Sequence, residues 1–592
     1  MIVVEHKHTF WGPNLYTHLP VIVSEIKTNP QDLEFISEKI NKICFFSRQW
    51  FFWRGDFNSD LDQNILATFI AEWARAALSE VSGSIEFSKF VIDQDCNLLL
   101  LEFHQPELAF HAMEIAAYLV QNADGIDEHK FTDVMNKFWN LCRNKHPDFQ
   151  IKFLMDYAKS EGIPVFKFLK NSRYWQFGWG CKSKIFFEST PMDDSAIGRQ
   201  ISSDKNLTKQ ILKNLGLPVV NHVLVNTVDE LSKAVDSLGY PLVVKPLDRG
   251  RSIGVSVNVT DFLRLELGFQ TARKETQNLI LIEKYIPGDV HRIIVVRGKF
   301  WKAIKREVPY VIADGLKTVS EMLGEKNALM EQSIRPGLIL GKVPLDDDLF
   351  ETLGRQNLTL SDVPPRGLKV RLRSIPLLST GAQYSDVTNQ INPETKEASE
   401  LIALTFSIDS CGIDFITEDI SKSCYAEGAF LELNSTPGLN VPYMAGVDRI
   451  EIGKTILGED CSSLPLLFVV ANKKYHQELI QTFNKPSWLG WVCGSNSGVG
   501  VNSFTLSFKN MHAALVNVTK NRNVSKIILV ADFDDIKLEG LPFQQSTLSI
   551  LIDDPKIDKE WINLIDKHSS QMLVLKNTEG LSELFRNFLL NE

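Results

Sequence analysis

In the stretch Phe430-Leu-Glu-Leu-Asn-Ser-Thr-Pro-Gly438, Leu431 and Leu433 alternate with Glu432 and Asn434. Side chains along a strand alternate between faces, so Glu432 and Asn434 point the same way, two hard oxygen ligands about 7 Å apart. Upstream lies a second strand-like run, Gly412-Ile-Asp-Phe-Ile416, with one acid, Asp414, among apolar residues. The spacer from Glu418 to Glu427 lets the two runs pair as an antiparallel hairpin, which brings Asp414, Glu432 and Asn434 together. Oxygen-only ligands of this kind suit Mg²⁺ carried with nucleotide phosphates. Any half-buried strand also alternates, so the hairpin by itself is equally consistent with a solvated polar face.

Cations precede the acids in the chain. Ser203 to Gly216 reads as a capped helix ending at glycine, with Lys205 in its first turn. A cation there opposes the helix dipole, which hints at an anionic partner, although a solvated lysine fits as well. Tyr240-Pro-Leu-Val-Val-Lys-Pro246 is an apolar strand that delivers Lys245. Asp248-Arg-Gly-Arg-Ser-Ile-Gly254 follows, and its Gly250, Arg251, Ser252 and Gly254 form a basic glycine loop. Such a loop folds over phosphates through backbone N–H groups and guanidinium; a plain glycine hairpin is the alternative. It is not a Walker A loop, whose G-x-x-x-x-G-K-[ST] pattern is absent. Leu279 to Gly288 is a buried strand that reaches Glu283 and then turns, a place where an adenine can be clamped between two lobes. In the next hairpin, about Arg297-Gly-Lys, Lys302 and Arg306 alternate with apolar residues and face one cleft. Leu378 to Thr388 is a hydroxyl-rich loop suited to a carboxylate, a phosphate or an ordinary turn.

The elements that position these groups belong to a long chain. At 592 residues with 44% hydrophobic and 23% charged residues, it reads as a multidomain globular protein. Its formal net charge of -10 argues against general nucleic-acid binding. No apolar run approaches a membrane span, and the first residues lack the order of a signal peptide. Eight scattered cysteines without a C-x-x-C pair read as reduced core thiols. Together these features point to a cytoplasmic protein. Residues 1–165 read as an N-terminal α+β domain, 166–455 as a central domain and 456–592 as a small α/β domain. His104, His111 and Glu114 lack metal-site spacing and read as surface or packing residues. Gly494 to Gly500 is glycine-rich without a lysine and reads as a loop.

Taken in order, helix lysine, strand lysine, basic glycine loop, strand glutamate, basic hairpin, strand aspartate and Glu-x-Asn resemble the ATP-grasp fold, two α+β lobes with ATP between them. Ser203-Asp-Lys-Asn-Leu-Thr-Lys209, Val243-Val-Lys-Pro-Leu-Asp248, His291-Arg-Ile-Ile-Val-Val296, Leu378-Ser-Thr-Gly381, Ser385-Asp-Val-Thr388 and Glu432-Leu-Asn434 with Pro437-Gly438 resemble the cyanophycin synthetases. Gly12-Pro-Asn14 and Gln176-Phe-Gly-Trp-Gly180 add to that resemblance, which covers roughly residues 10 to 450. It implies an ADP-forming ligase that makes an acyl phosphate and joins it to an α-amine. It also implies two Mg²⁺ ions on Asp414, Glu432 and Asn434, and ATP phosphates on Lys205, Lys245 and the loop from Gly250 to Gly254. Glu283, Lys284, Tyr285 and Ile286 then form the adenine edge, and Arg306, His291 and Ser379 meet the acceptor carboxylate.

The family carries a further domain of the Mur-ligase type, with a glycine-rich phosphate loop after its first strand. Here that strand is Leu464 to Val470, and Ala471-Asn-Lys-Lys-Tyr-His476 stands in place of the loop. The expectation is a truncated, inactive Mur-like domain, as in the single-site form of the family called cyanophycin synthetase 2. That form joins ready-made β-aspartyl-arginine dipeptides, and the resemblance implies a homo-oligomer acting on a dipeptide and a growing polymer. The chain departs from the family where Gly250-Arg-Ser-Ile-Gly254 replaces Gly-Asn-His-Gly-Arg-Gly, at Val290 after the Pro-Gly turn, and at Ala382 in the Ser-Thr-Gly-Gly motif. Competing readings are a ligase for another small peptide or metabolite amide, and a non-catalytic partner of a full-length synthetase.

Overall fold

The computed structural model describes residues 2–29, 35–51, 63–82, 85–93, 96–143, 145, 147–170, 172–250, 253–333, 341–482, 489–493, 499–501, 504–506, 508, 510–552 and 558–590. The chain forms two compact units, Ser189–Ile456 and the pair of segments Met1–Glu188 and Leu457–Glu592.

Ser189–Ile456 is built on two antiparallel sheets. Helix α1 (Ala196–Ser203) leads into α2 (Lys205–Asn214), whose N-terminus is capped by the Asp204 carboxylate accepting from the N–H groups of Asn206 and Leu207. Strands β1 (His222–Val225), β2 (Leu242–Pro246), β3 (Ser256–Val259) and β4 (Ile280–Lys284) form a four-stranded sheet in the order β3-β2-β4-β1. Helix α3 (Phe262–Glu275) covers one of its faces. Leu242, Val244, Ile280 and Ile282 point to that face and pack with Leu265, Phe269 and Ala272. By alternation, Lys245 and Glu283 point to the other face.

The second sheet has five strands. These are β5 (Asp289–Val296), β6 (Lys299–Glu307), β7 (Gln383–Asp386), β8 (Cys411–Thr417) and β9 (Ala429–Asn434), in the order β7-β6-β5-β8-β9. One face is the core of this lobe: Ile293, Val295, Ala303, Ile413, Phe415, Phe430 and Leu433 pack against Ala398, Ile402 and Phe406 of α4 (Pro393–Phe406). Burying each such large side chain stabilises the lobe by roughly 1.5–3 kcal/mol. The Phe415 and Phe430 rings meet at 4.9 Å between centroids. Helix α2 also belongs to this lobe, since Leu212 joins the same core. Between β6 and β7 the chain adds a small subdomain with its own core around Val319, Leu323, Leu349, Leu353 and Val370.

The other unit joins the two ends of the chain. Val3–Phe10, Val21–Lys27, Ser88–Asp93 and Cys96–Glu102 make a four-stranded antiparallel sheet. The helices Gln63–Ser82 and Pro106–Gln121 share a large core with this sheet. A seven-stranded sheet has Leu466–Val470 paired parallel with both Lys526–Ala531 and Leu548–Ile552. Leu541 N donates to Pro13 O at 2.8 Å, and the Trp11 ring stacks on His512 at 4.1 Å. Residues 166–188 pack in this unit: Gly180 N donates to Thr519 O and Cys181 N to Val524 O, each at 2.8 Å. After Val470 the chain makes a short turn of 3-10 helix, Lys473–Tyr475, and then the helix His476–Thr482. Of the expected loop from Gly494 to Gly500, residues 494–498 lie outside the described residues. Val499–Val501 is a strand rather than loop, paired antiparallel with Leu489–Cys493.

Candidate active site

Strands β8 and β9 pair so that Asp414 faces Glu432 and Gly412 faces Asn434. A bulge follows directly, between Asp414 and Phe415, and lets the polar pair share a face while Phe415 and Phe430 stay in the core. On the adjoining strands, Arg292 pairs with Asp414, and Arg306 pairs with Tyr384. One face of the five-stranded sheet therefore carries Arg292, Lys302, Arg306, Tyr384, Asp386, Asp414, Glu432 and Asn434.

The centre of this face is tightly paired. Arg292 Nε donates to Asp414 Oδ1 at 2.6 Å, and Arg306 Nη1 lies 3.4 Å from Asp414 Oδ2. Burial pushes the Asp414 carboxyl up, but the guanidiniums of Arg292 and Arg306 outweigh it and hold it below the usual carboxylate range. Asn434 Nδ2 donates to Glu432 Oε1 at 3.2 Å. Gly412 provides the room for Arg292: a Cβ there would come within 2.7 Å of Arg292 Cδ and closer still to Nη1. Lys302 is drawn to Asp386 at 3.4 Å and to Glu451 at 3.5 Å. Burial raises the Tyr384 phenol, and the Arg306 and Arg292 guanidiniums oppose that shift.

A second charged cluster lies on the four-stranded sheet. Glu283 Oε2 is 2.8 Å from Lys245 Nζ, and Glu283 Oε1 is 2.9 Å from Lys209 Nζ. Burial works against the Glu283 anion, yet the two ammoniums beside it bring its carboxyl down to about 2. Lys205 Nζ donates to the carbonyls of Leu247 at 3.0 Å and Arg249 at 2.6 Å, at the root of the glycine loop. Burial lowers the Lys205 ammonium, and Glu432 opposes that by attraction from the other sheet. The two clusters thus feel each other, and across both the cations outnumber the carboxylates, which favours an anionic guest.

The structure brings together Asp414, Glu432, Asn434 and Arg306, and separately Lys205, Lys245 and Glu283. Gly250 and Gly254 follow β2, Gly254 with a φ of +70° that suits glycine, whereas Arg251 and Ser252 lie outside the described residues. At the strand end beyond Glu283, the N–H groups of Lys284 and Tyr285 are donated to Asn221 O and Pro241 O at 3.0 Å each. Lys284 Nζ reaches Tyr240 O at 2.7 Å, and Ile286 follows on the way into β5. His291 is not with the cluster. It pairs with Lys305 and Phe415 in register, on the opposite face of the sheet, and burial pushes its imidazole down to about 4. Ser379 is exposed in the turn Leu378–Thr380 and makes no contact with Asp414 or Arg306 among the described residues.

The sequence alone does not single out four residues of the site: Arg292, Lys209, Tyr384 and Asp386. Arg292 carried a usable signal, because it is a charged residue inside the apolar run from His291 to Val296. Lys209 follows Lys205 by one helical turn, on the same face of α2.

The donor set fits a magnesium ion. Two carboxylates and an amide oxygen on neighbouring strands, beside a cluster of cations, match an ion that takes one or two carboxylates and completes its shell with water and phosphate oxygens. Asp414, held ionised, is already in the ligating form.

Residues 211–305 match the family described as D-ala D-ala ligase C-terminus. That match includes Lys245, Glu283 and Arg292, and stops short of Arg306, Asp414, Glu432 and Asn434. The chain is 31% identical over 322 residues to a cyanophycin synthetase of Nostoc sp. (strain PCC 7120 / SAG 25.82 / UTEX 2576), covering 53% of this chain and 35% of that protein. It is 28% identical over 244 residues to a glutathione biosynthesis bifunctional protein of Streptococcus mutans, covering 40% of this chain and 32% of that one. A solved bifunctional glutathione synthetase from Pasteurella multocida aligns over 60% of this chain and 52% of its own, at 18% identity and a TM-score of 0.39. The chain is related to the cyanophycin synthetases over about half its length and spans about a third of theirs.

Proposed function

We propose that this chain is an ATP-dependent carboxylate–amine ligase that polymerises β-aspartyl-arginine dipeptides into cyanophycin. The observation that carries the reading is the pairing of two charged clusters on facing elements of one unit: Asp414, Glu432 and Asn434 with Arg306 on one sheet, Lys205 and Lys245 with the glycine loop on the other. This is the set that an ATP–Mg²⁺ complex needs, triphosphate on the lysines and metal on the oxygens.

In this reading Asp414, Glu432 and Asn434 hold two Mg²⁺ ions, which when bound neutralise phosphate charge. Lys205 and Lys245 orient the β- and γ-phosphates. A C-terminal carboxylate of the acceptor attacks the γ-phosphorus, the bond to the β-phosphate oxygen breaks, and ADP leaves. The incoming α-amine attacks the acyl carbon and expels phosphate, forming the amide. Arg306, fixed beside Asp414, faces the oxygens on which negative charge grows in both steps. Lys284 to Ile286 edge the adenine. The acceptor carboxylate is assigned to Arg306, with Ser379 able to join from its exposed turn.

The C-terminal region is read as a Mur-ligase-like domain without a working phosphate loop, because Asn472-Lys473-Lys474-Tyr475 follows its central strand. With no second site to attach arginine, the dipeptide must arrive assembled. The same reading has the protein act in the cytoplasm as a homo-oligomer. It is tested by measuring phosphate release from ATP–Mg²⁺ with β-aspartyl-arginine, and with aspartate plus arginine, each with and without a short cyanophycin primer. Chain growth in steps of one dipeptide, read by mass spectrometry, supports it. Turnover with another amine alone replaces the substrate, and no turnover together with no ATP binding sinks the ligase.

A further inference from the structure

Lys209 is a lysine with 0% side-chain exposure. Burying an ammonium costs several kcal/mol unless it is paired. Its pairing is with Glu283, 2.9 Å away, a contact close in distance but off the direction of a hydrogen bond. The other oxygen of Glu283 takes Lys245, which faces the cleft. Lys209 and Lys245 come from different lobes. Helix α2 packs through Leu212 on the core of the five-stranded sheet, while Glu283 and Lys245 stand on the four-stranded sheet. One turn before Lys209, Lys205 reaches the same sheet at the carbonyls of Leu247 and Arg249.

We propose that Lys209 is a positioning residue of the nucleotide site, which shares Glu283 with Lys245 and thereby fixes the Lys245 ammonium at the phosphates and α2 against the four-stranded sheet. This rests on the nucleotide reading given above. The physical logic is a divided counter-charge. With Lys209 present, Glu283 is balanced on one side from within the protein, and Lys245 keeps one edge of its ammonium for a ligand. Without Lys209, Glu283 is a buried carboxylate with a single partner. It then draws Lys245 inward and competes with the phosphates for it. Burial weakens the Lys209 ammonium, and the Glu283 carboxylate beside it opposes that. Lys205, on the same helix face, then loses its alignment with the loop root as α2 is freed.

The test uses the full chain and three proteins: wild type, Lys209→Met, and Lys209→Met with Glu283→Gln. ATP–Mg²⁺ affinity is titrated by calorimetry, and thermal unfolding is followed without nucleotide. Lys209→Met is expected to lower the melting temperature and weaken ATP by about tenfold or more, the scale on which the outer partners of a binding group act. In the double variant both of the most deeply buried charges are removed, so the melting temperature recovers, yet ATP affinity stays weak because Lys245 has lost its anchor. A double variant that binds ATP like wild type overturns the proposal and leaves Lys209 a packing residue. If Lys209→Met does not fold, the double variant carries the same decision. Wild type that binds no ATP overturns the nucleotide reading, and this inference with it.

Discussion

Arg292 and Asp414 stand opposite each other on adjacent antiparallel strands and meet through Nε and Oδ1 at 2.6 Å, with 9% and 8% of their side chains exposed. The pair is the hinge of the proposed metal site, because it orients Asp414 and keeps it ionised. Replacing Arg292 by Met leaves a buried carboxylate with Arg306 as its remaining cation. Breaking a buried pair in this way costs about 3–5 kcal/mol. Urea unfolding of Arg292→Met is expected to show a loss in that range. A loss below about 1 kcal/mol would mean the pair is solvated in the working protein.

Gly412 reports on the same pair from the backbone side. A methyl at this position collides with the Arg292 side chain, which cannot swing away without releasing Asp414. Gly412→Ala is expected to cost about 1–3 kcal/mol, the usual range for overpacking. It should also slow ATP turnover while leaving ATP binding at Lys205 and Lys245 nearly intact. Equal losses in binding and turnover would show that the substitution disturbs the whole lobe.

The two halves of the site differ in how far the sequence reveals them. The hairpin from Gly412 to Asn434 is legible because its alternation is regular, and the hydrogen bonding then follows. The facing of Asp414 with Glu432 depends on a bulge at Phe415, which alternation does not encode. His291 and Arg292 are neighbours in an apolar run, and nothing local decides which of them faces the cleft. Their register against Phe415 and Asp414 decides it, through pairing with a strand over a hundred residues away. Nothing local marks Lys209 out among the lysines of its helix, because its counter-ion arrives with β4. The joining of residues 166–188 to the C-terminal region likewise rests on contacts such as Gly180 N to Thr519 O, which no local pattern reports.

Glu432 offers a cleaner test of the metal assignment than Asp414, since among the described residues it is Asp414 that forms the ion pairs with Arg292 and Arg306. Its contact with Asn434 can be kept by glutamine. Glu432→Gln is expected to reduce ATP turnover about 100-fold while shifting the melting temperature little, because it removes a metal charge and preserves shape. Raising Mg²⁺ should recover part of the lost rate. Unchanged turnover at limiting Mg²⁺ would remove Glu432 from the metal site.

Asp194, ahead of α1, gives a pH dependence with the opposite sign from most carboxylates. Its Oδ1 accepts from Asp409 N at 2.8 Å, and its Oδ2 is buried without a hydrogen-bond partner among the described residues. Burial raises its carboxyl from 3.8 to about 6, with Asp409 adding like charge, while the backbone bond and Arg199 oppose the shift. A group whose folded value is raised contributes stability in full below its unfolded value and loses it as pH rises through the folded value. Asp194 should therefore stabilise the unit at pH 3.8 and below, and progressively less up to about pH 6. Asn keeps the acceptor for Asp409 and never ionises. Thermal unfolding of Asp194→Asn should match wild type near pH 4 and gain on it as pH rises, by about 1 kcal/mol at pH 7 after solvent screening. A constant difference across that window would mean Asp194 is ionised and hydrated throughout, and that the gap beside Oδ2 is filled by water.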